Sequence, residues 1–219
     1  MSDKSLSVAF GNFLSEEAVV CVSDLAEVGL DAILEEGVLK EVPILATAIS
    51  IYKIGSSIAE RHHLKKLLVF LDEINNGIVD ESKRIEYRQK FEENKKFRNQ
   101  ELEHIMVLLE RYISYDKPQM LAKLFLAYLD NKITWIEFAK YAEIIDRLFC
   151  GDLQYLNAHA LVSVNCDDVA VDSVLRLLAA GLVAQKQTRV SDDGSGGISI
   201  DSEEGYTITP LGAKLMTIL

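Results

Sequence analysis

The sequence predicts a mainly α protein with one small antiparallel hairpin near its C-terminus. Three observations carry that expectation. Apolar residues recur at spacings of three and four over most of the first 150 positions, and only 3 prolines interrupt the 219 residues. After Gly181 the helical spacing gives way to two short strand-like runs around a polar, Gly-rich segment. An apolar fraction of 49% with 26% charged residues is that of a globular chain with a proper core.

Residues 1–13 read as a loose lead-in. Ser15 is an N-cap with Glu16 and Glu17 in the first turn, and this helix runs to about Glu36, where Gly37 ends it. Pro43 suits the first position of the next helix. Residues 43–59 are the most hydrophobic stretch, but a membrane-spanning helix needs about 20 apolar residues. This run is shorter and carries Lys53. Thr47, Ser50, Lys53 and Ser57 fall on one side, and Ile44, Leu45, Ala48, Ile49, Tyr52 and Ile58 cover most of the rest, the pattern of an amphipathic core helix.

From Glu60 a helix continues through Leu64, Leu67, Leu68, Leu71 and Ile74, and Asn75-Asn76-Gly77 ends it. The next expected element is one long charged helix over about 80–112. Ile85 and Phe91 are the anchors of its first half, and Leu102, Ile105, Met106, Leu109 and Ile113 form the stripe of its second. The charged half is expected to project from the body or to pack on a partner. Pro118 opens a helix over 118–129. Thr134 and Glu137 have the spacing of a capping box for a helix over 134–149, which buries Phe138, Tyr141, Ile144, Ile145 and Leu148. The same segment looks like the end of a calcium-binding loop, but that alignment puts Leu126 and Tyr128 where carboxylates are required. Gly151 or Asp152 separates an N-terminal helical bundle, 1–150, from a second part, 151–219.

In that second part Val174-Leu175-Arg176-Leu177-Leu178-Ala179-Ala180-Gly181-Leu182-Val183 is an apolar helix closed by Gly-Leu-Val. Tyr206-Thr207-Ile208-Thr209-Pro210-Leu211-Gly212 is a strand leading into a helix capped by Thr209. This order resembles the MarR-type and related winged-helix proteins over roughly the last 65 residues. The resemblance implies a winged-helix-like α+β subdomain. Its first helix would run from Asp152 to about Val162, its recognition-position helix would be 169–180, and its wing would be Ala184–Val190 paired with Ile198–Ile208. The order of elements upstream is similar to small uncharacterised bacterial and prophage helical proteins, a likeness that implies no activity.

Charge sets the resemblance against a nucleic-acid function. The formal net charge is −11, and residues 1–59 carry 9 acidic against 3 basic side chains. Non-specific affinity for nucleic acid comes from cations that neutralise phosphates. Basic density occurs only over 83–98 (Lys83, Arg84, Arg88, Lys90, Lys95, Lys96, Arg98), where Glu86, Glu92 and Glu93 interrupt it, as on an ion-paired helix face. If the winged-helix-like part does read DNA, the supporting residues are Arg176, Lys186 and Arg189, set against Asp172, Asp192 and Asp193.

No catalytic, cofactor-binding or metal-ligating set is expected. There is no Gly-x-Ser-x-Gly elbow, and Gly194-Ser195-Gly196-Gly197 reads as a hairpin tip rather than a phosphate loop. Glu60-x-x-His63 and Glu101-x-x-His104 have the spacing used by di-iron helix bundles. At ~100° per residue, however, His104 lies about 160° from the stripe centred on Leu102 and is expected to face solvent. Cys21, Cys150 and Cys166 lack CxxC spacing and read as reduced thiols. No signal-peptide pattern opens the sequence.

The reading that follows is a non-enzymatic cytoplasmic regulatory or interaction protein, linked by the resemblance to phage or mobile elements. It would bind another protein, a basic one given the acidic field. The alternative is a winged-helix DNA-binding regulator, acting as a homodimer that pools its cations. A membrane-associated role through 43–59 with Lys65 and Lys66 is the third reading.

Overall fold

A computed structural model describes residues 9–10, 13, 47, 57–159, 171–186, 189–192, 198–201 and 205–219. The chain divides into two compact units, Met1–Asp146 and Arg147–Leu219. The protein is mainly α-helical with a small antiparallel strand pairing, as its periodicities predict.

In the first unit five helices follow one another: α1 (Ile58–Asn76), α2 (Glu81–Glu93), α3 (Lys95–Arg111), α4 (Asp116–Leu129) and α5 (Trp135–Arg147). Ser57 starts α1 with a complete capping box, its hydroxyl accepting from the Glu60 N–H while Glu60 accepts from the Ser57 N–H. Ser57 has extended backbone angles, so it is a helix cap and not a member of a polar helix face, and Ile58 beside it is exposed. Residues 11–46 and 48–56, apart from Phe13, lie outside the described residues, and with them most of the two expected N-terminal helices. Ala9 and Phe10 are described: both are helical and buried, so the expected loose lead-in is corrected there.

The single charged helix expected over 80–112 is two helices. Asn94 has extended angles (φ −109°, ψ 90°) at the joint. A polar side chain that competes for local backbone bonds favours such breaks. The two halves fold back on each other, because the Tyr87 hydroxyl reaches the Glu101 carboxylate at 2.6 Å. Along one continuous helix those residues would be about 21 Å apart. The first half therefore does not project from the body. Its anchors are Tyr87 and Phe91, both buried, whereas Ile85 is half exposed.

The core of this unit is aromatic. Phe125 of α4 is fully buried, and the rings of Phe10, Phe70, Tyr87, Tyr128 and Phe138 all lie within 6.1 Å of it, centroid to centroid. Gly77 ends α1 with negative φ (−75°) rather than in the left-handed conformation. Its reason is space: a Cβ there would meet Leu126 Cδ1 at 2.2 Å. At the end of α4 Asn131 does take the left-handed conformation (φ 56°), and the Lys132 N–H bonds Ala127 O at 2.9 Å in a Schellman motif. Thr134 and Glu137 make the capping box that opens α5.

Four helix C-termini are closed by cations from other helices. Lys66 of α1 is 2% exposed and donates to Glu110 O (2.8 Å) and Tyr112 O (2.6 Å) at the end of α3. Arg84 of α2 donates to Gly77 O beyond α1 at 2.9 Å. Lys83 holds Asp130 O beyond α4 at 2.7 Å, and Lys117 of α4 holds Asp146 O in the last turn of α5 at 2.9 Å. A cation at such an end satisfies orphan carbonyls and complements the helix dipole.

The second unit holds α6 (Cys150–His159), α7 (Val171–Ala179), β1 (Val183–Gln185), β2 (Arg189–Asp192), β3 (Ile198–Asp201), β4 (Tyr206–Ile208) and α8 (Pro210–Ile218). Gly181 (φ 73°) closes α7 in a second Schellman motif, with Leu182 N–H on Leu177 O at 3.0 Å and both leucines buried. β1 pairs antiparallel with β4, Val183 opposite Ile208, and β2 with β3, Arg189 opposite Asp201. Three residues separate Gln185 from Arg189 and four separate Asp201 from Tyr206, so the two ladders differ in register by one residue. Thr209 caps α8 through the Gly212 N–H, and a Cβ at Gly212 would sit 2.2 Å from Leu182 O.

Replacing Lys66 with Met leaves the buried Tyr112 carbonyl and the part-buried Glu110 carbonyl without this donor. We expect a loss of about 2 kcal/mol or more in stability, read by urea unfolding of Trp135 fluorescence. Trp135 is the one tryptophan and lies in this unit.

Candidate functional site

Of the residues proposed from sequence for nucleic-acid contact, Arg176 is placed most fully by its side-chain contacts. Arg176 lies on α7, and its guanidinium makes a bidentate pair with Asp152 of α6, with both contacts at 2.8 Å. It also stacks over the Phe149 ring at 4.9 Å. Asp152 is 1% exposed and accepts from the Phe149 N–H as well, the acid at the third helical position reaching back to the start of α6. Burial pushes its carboxyl up, but the bonds from Arg176, Ser173 and the Phe149 N–H outweigh burial and hold it below the ordinary carboxylate range. The Lys186 N–H continues the β1–β4 ladder onto Gly205 O at 2.9 Å. The Arg189 side chain, the 194–197 tip, Cys21 and Cys166 lie outside the described residues; Cys150 is half-buried.

With Arg176 paired to Asp152, the exposed side of α7 carries an aliphatic stripe that runs beside the exposed Asp172. Val174 and Leu177 are buried, while Val171, Leu175 and Leu178 are 37%, 52% and 38% exposed. Spacings of four and three place these three within about 60° of one another on the helix. Phe149, 64% exposed beneath Arg176, adds an aromatic surface in the same unit. A helix that buries one apolar stripe and exposes a second has a face suited to a partner rather than to water.

A second cluster lies in the first unit. Glu101 of α3 is 2% exposed, and its two oxygens accept from Tyr87 of α2 (2.6 Å) and Tyr128 of α4 (2.7 Å). Burial pushes its carboxyl up, the two phenols pull it down, and the balance lies at about 7. One turn on, His104 packs edge-on against Trp135 (5.7 Å) and Phe138 (6.3 Å), and its Nε2 is buried without a hydrogen-bond partner. Burial lowers its pKa, against the opposing field of Glu143. The expectation that His104 faces solvent is therefore corrected. α3 packs on more than one side, and Glu101, His104 and Leu108, at spacings of three and four, form a second inward stripe beside the one centred on Leu102. That spacing was the available signal. The other Glu-x-x-His pair stays apart from it: Glu60 is engaged in the α1 capping box.

The wider basic face is ion-paired as expected, with Arg88–Glu92 at 2.8 Å and Lys90–Glu86 at 2.9 Å. At the start of α1 His62 donates through Nε2 to Ile113 O (2.9 Å) and accepts at Nδ1 from the Tyr115 hydroxyl (2.7 Å), while Lys65 sits over the Tyr115 ring. Lys65 and Lys66, offered for membrane contact, are thus turned to the α3–α4 turn. No helix among the described residues is long and apolar enough to cross a membrane.

The Arg176–Asp152 pair has a pH signature. Because the Asp152 pKa is depressed, its contribution to stability is present above the ordinary carboxylate range and is lost as pH falls through the folded-state value. Arg176→Met removes the main opposing bonds, so acid loss of amide protection on α6 and α7 should begin at higher pH than in the wild type. Hydrogen exchange between about pH 3 and 7 reads the difference.

No protein-family model, no curated protein and no solved structure matches the chain.

Proposed function

We propose that the chain is a non-enzymatic, cytoplasmic interaction protein that binds another protein through the outward face of α7. The observation that carries the reading is the exposed Val171–Leu175–Leu178 stripe on a helix whose one arginine is committed to Asp152. Under the winged-helix resemblance this helix occupies the recognition position. A base-reading helix there presents Arg, Lys, Asn or Gln to base edges, whereas the outward stripe of α7 offers aliphatic carbon. Aliphatic side chains are what a partner's apolar face covers, and fold by itself does not choose between the two uses. The net charge of −11 adds long-range attraction for a basic partner and repulsion for a polyanion.

The winged-helix DNA-binding regulator is the competing reading, supported by the order of α6, α7, the strand ladders and α8 and by Lys186 and Arg189. Anisotropy with mixed duplex DNA at about 50 and 200 mM salt separates the two. We expect no salt-sensitive binding at micromolar protein. A photo-crosslinking residue at Leu175 should capture a discrete basic protein in the native host, and Leu178→Glu in the same chain should abolish capture without lowering stability. Salt-sensitive DNA binding that disappears when Lys186 and Arg189 become alanine overturns the proposal, and crosslinking to a second copy of the chain makes the face a homodimer interface.

A further inference from the structure

Glu101 joins three helices through one carboxyl group. It lies on α3, Tyr87 reaches it from α2 and Tyr128 from α4, and none of its hydrogen-bond partners is a cation. Among the described residues the charged and titratable groups around it are few. From α2 come Tyr87 and the distant field of Lys90, whose ammonium is bonded to Glu86 at 2.9 Å. From α4 comes Tyr128. On α3 itself His104 stands one turn away, and Glu143 of α5 acts on that histidine. From α1, His63 and Lys66 act on Glu110 near the other end of α3.

Of the described helices of its unit α2 buries the fewest side chains, Tyr87 and Phe91, and it meets α3 at the extended Asn94 joint. Phe91 packs on Phe10 and Tyr87 on Phe125 and Tyr128, while Lys83 and Arg84 hold the Asp130 and Gly77 carbonyls. We propose that Glu101 is a proton-operated latch: when its carboxyl loses its proton, α2 loosens from α3 and α4 about the Asn94 joint and uncovers the Phe91 and Phe125 rings. The inference is independent of the docking face on α7.

The chemistry follows from counting donors. A protonated Glu101 donates its O–H to one phenol oxygen and accepts from the other phenol, so both links survive without a buried charge. An ionised Glu101 accepts from both phenols but leaves a net charge under three helices with no cation on it among the described residues. Two hydrogen bonds offset only part of that desolvation. Swinging α2 outward admits water to the carboxylate and removes the penalty. The sign is that of a raised carboxyl: the closed form binds the proton more tightly than the open form, so closure weakens as pH rises from the ordinary range toward about 7 and stays weak above it.

Amide exchange of α2, corrected for intrinsic chemistry, tests this in the full chain. Opening should increase on the order of tenfold between about pH 5.5 and 8 in the wild type. In Glu101→Gln, which keeps a neutral group of the same shape, α2 should stay protected at both pH values. A wild-type α2 with pH-independent protection overturns the proposal, and so does the same increase in the Gln variant. If that variant fails to fold, the wild type answers alone. The Glu101 carboxyl carbon and the α2 amides should titrate together near neutral pH, and a carboxyl already ionised at about pH 6 overturns the latch.

Discussion

Every helix end leaves carbonyls that water or another group must satisfy, and in a bundle those ends point at neighbouring helices. In the first unit cations borrowed from other helices meet that demand. Lys66 carries the clearest case, because it is buried and both its carbonyl partners belong to the last turn and exit of α3. Its four-carbon stem is buried while its ammonium closes a helix that begins far away in sequence. Arg84, Lys83 and Lys117 repeat the device on α1, α4 and α5. The aromatic core around Phe125 supplies the apolar burial; the cation caps fix which helix end abuts which side chain.

That device bears on function. A cation placed on helix carbonyls is engaged there, and one in an exposed i,i+4 pair has part of its charge balanced by its neighbour. Lys83, Arg84, Arg88 and Lys90 make up most of the described part of the basic stretch, and each has such a partner. Arg176 follows the same rule in the second unit, where Asp152 takes both its outer contacts. These pairings and the net charge of −11 are the observations on which the proposed protein partner rests.

Several elements were legible because their signals are local. Thr134-x-x-Glu137 formed its capping box, Gly181 took the left-handed turn that ends α7, and Thr209 capped α8. What escaped depends on contacts distant in sequence. The break at Asn94 sits in a run of good helix formers, and what holds the fold-back is Tyr87 meeting Glu101 and Phe91 meeting Phe10, pairs that no local window contains. His104 was misplaced because a single apolar stripe was taken as the whole buried face, when α3 has two. Glu101 was singled out only for its spacing to His104, and its burial had no local signal because a carboxylate without a cation is rarely buried. The inward stripe of Glu101, His104 and Leu108 becomes visible once a helix is allowed to touch neighbours on both sides.

The two polar clusters differ in the way that matters for chemistry. Asp152 and Glu101 both show almost no surface to solvent, yet one is held below the ordinary range and the other, set deeper in the protein, is raised to about 7. Depth and partner both contribute. A guanidinium brings a full charge and two parallel donors, so the ionised form wins and the pair acts as a permanent clasp between α6 and α7. Two phenols bring donors without charge, so burial wins and the carboxyl stays near its tipping point. Pairing of Arg176 with Asp152 leaves the Val171–Leu175–Leu178 stripe of α7 without a cation of its own helix beside it, and Asp172 is the exposed charge at its edge. Neutral pairing of Glu101 leaves α2 the one described helix of its unit whose docking turns on a proton.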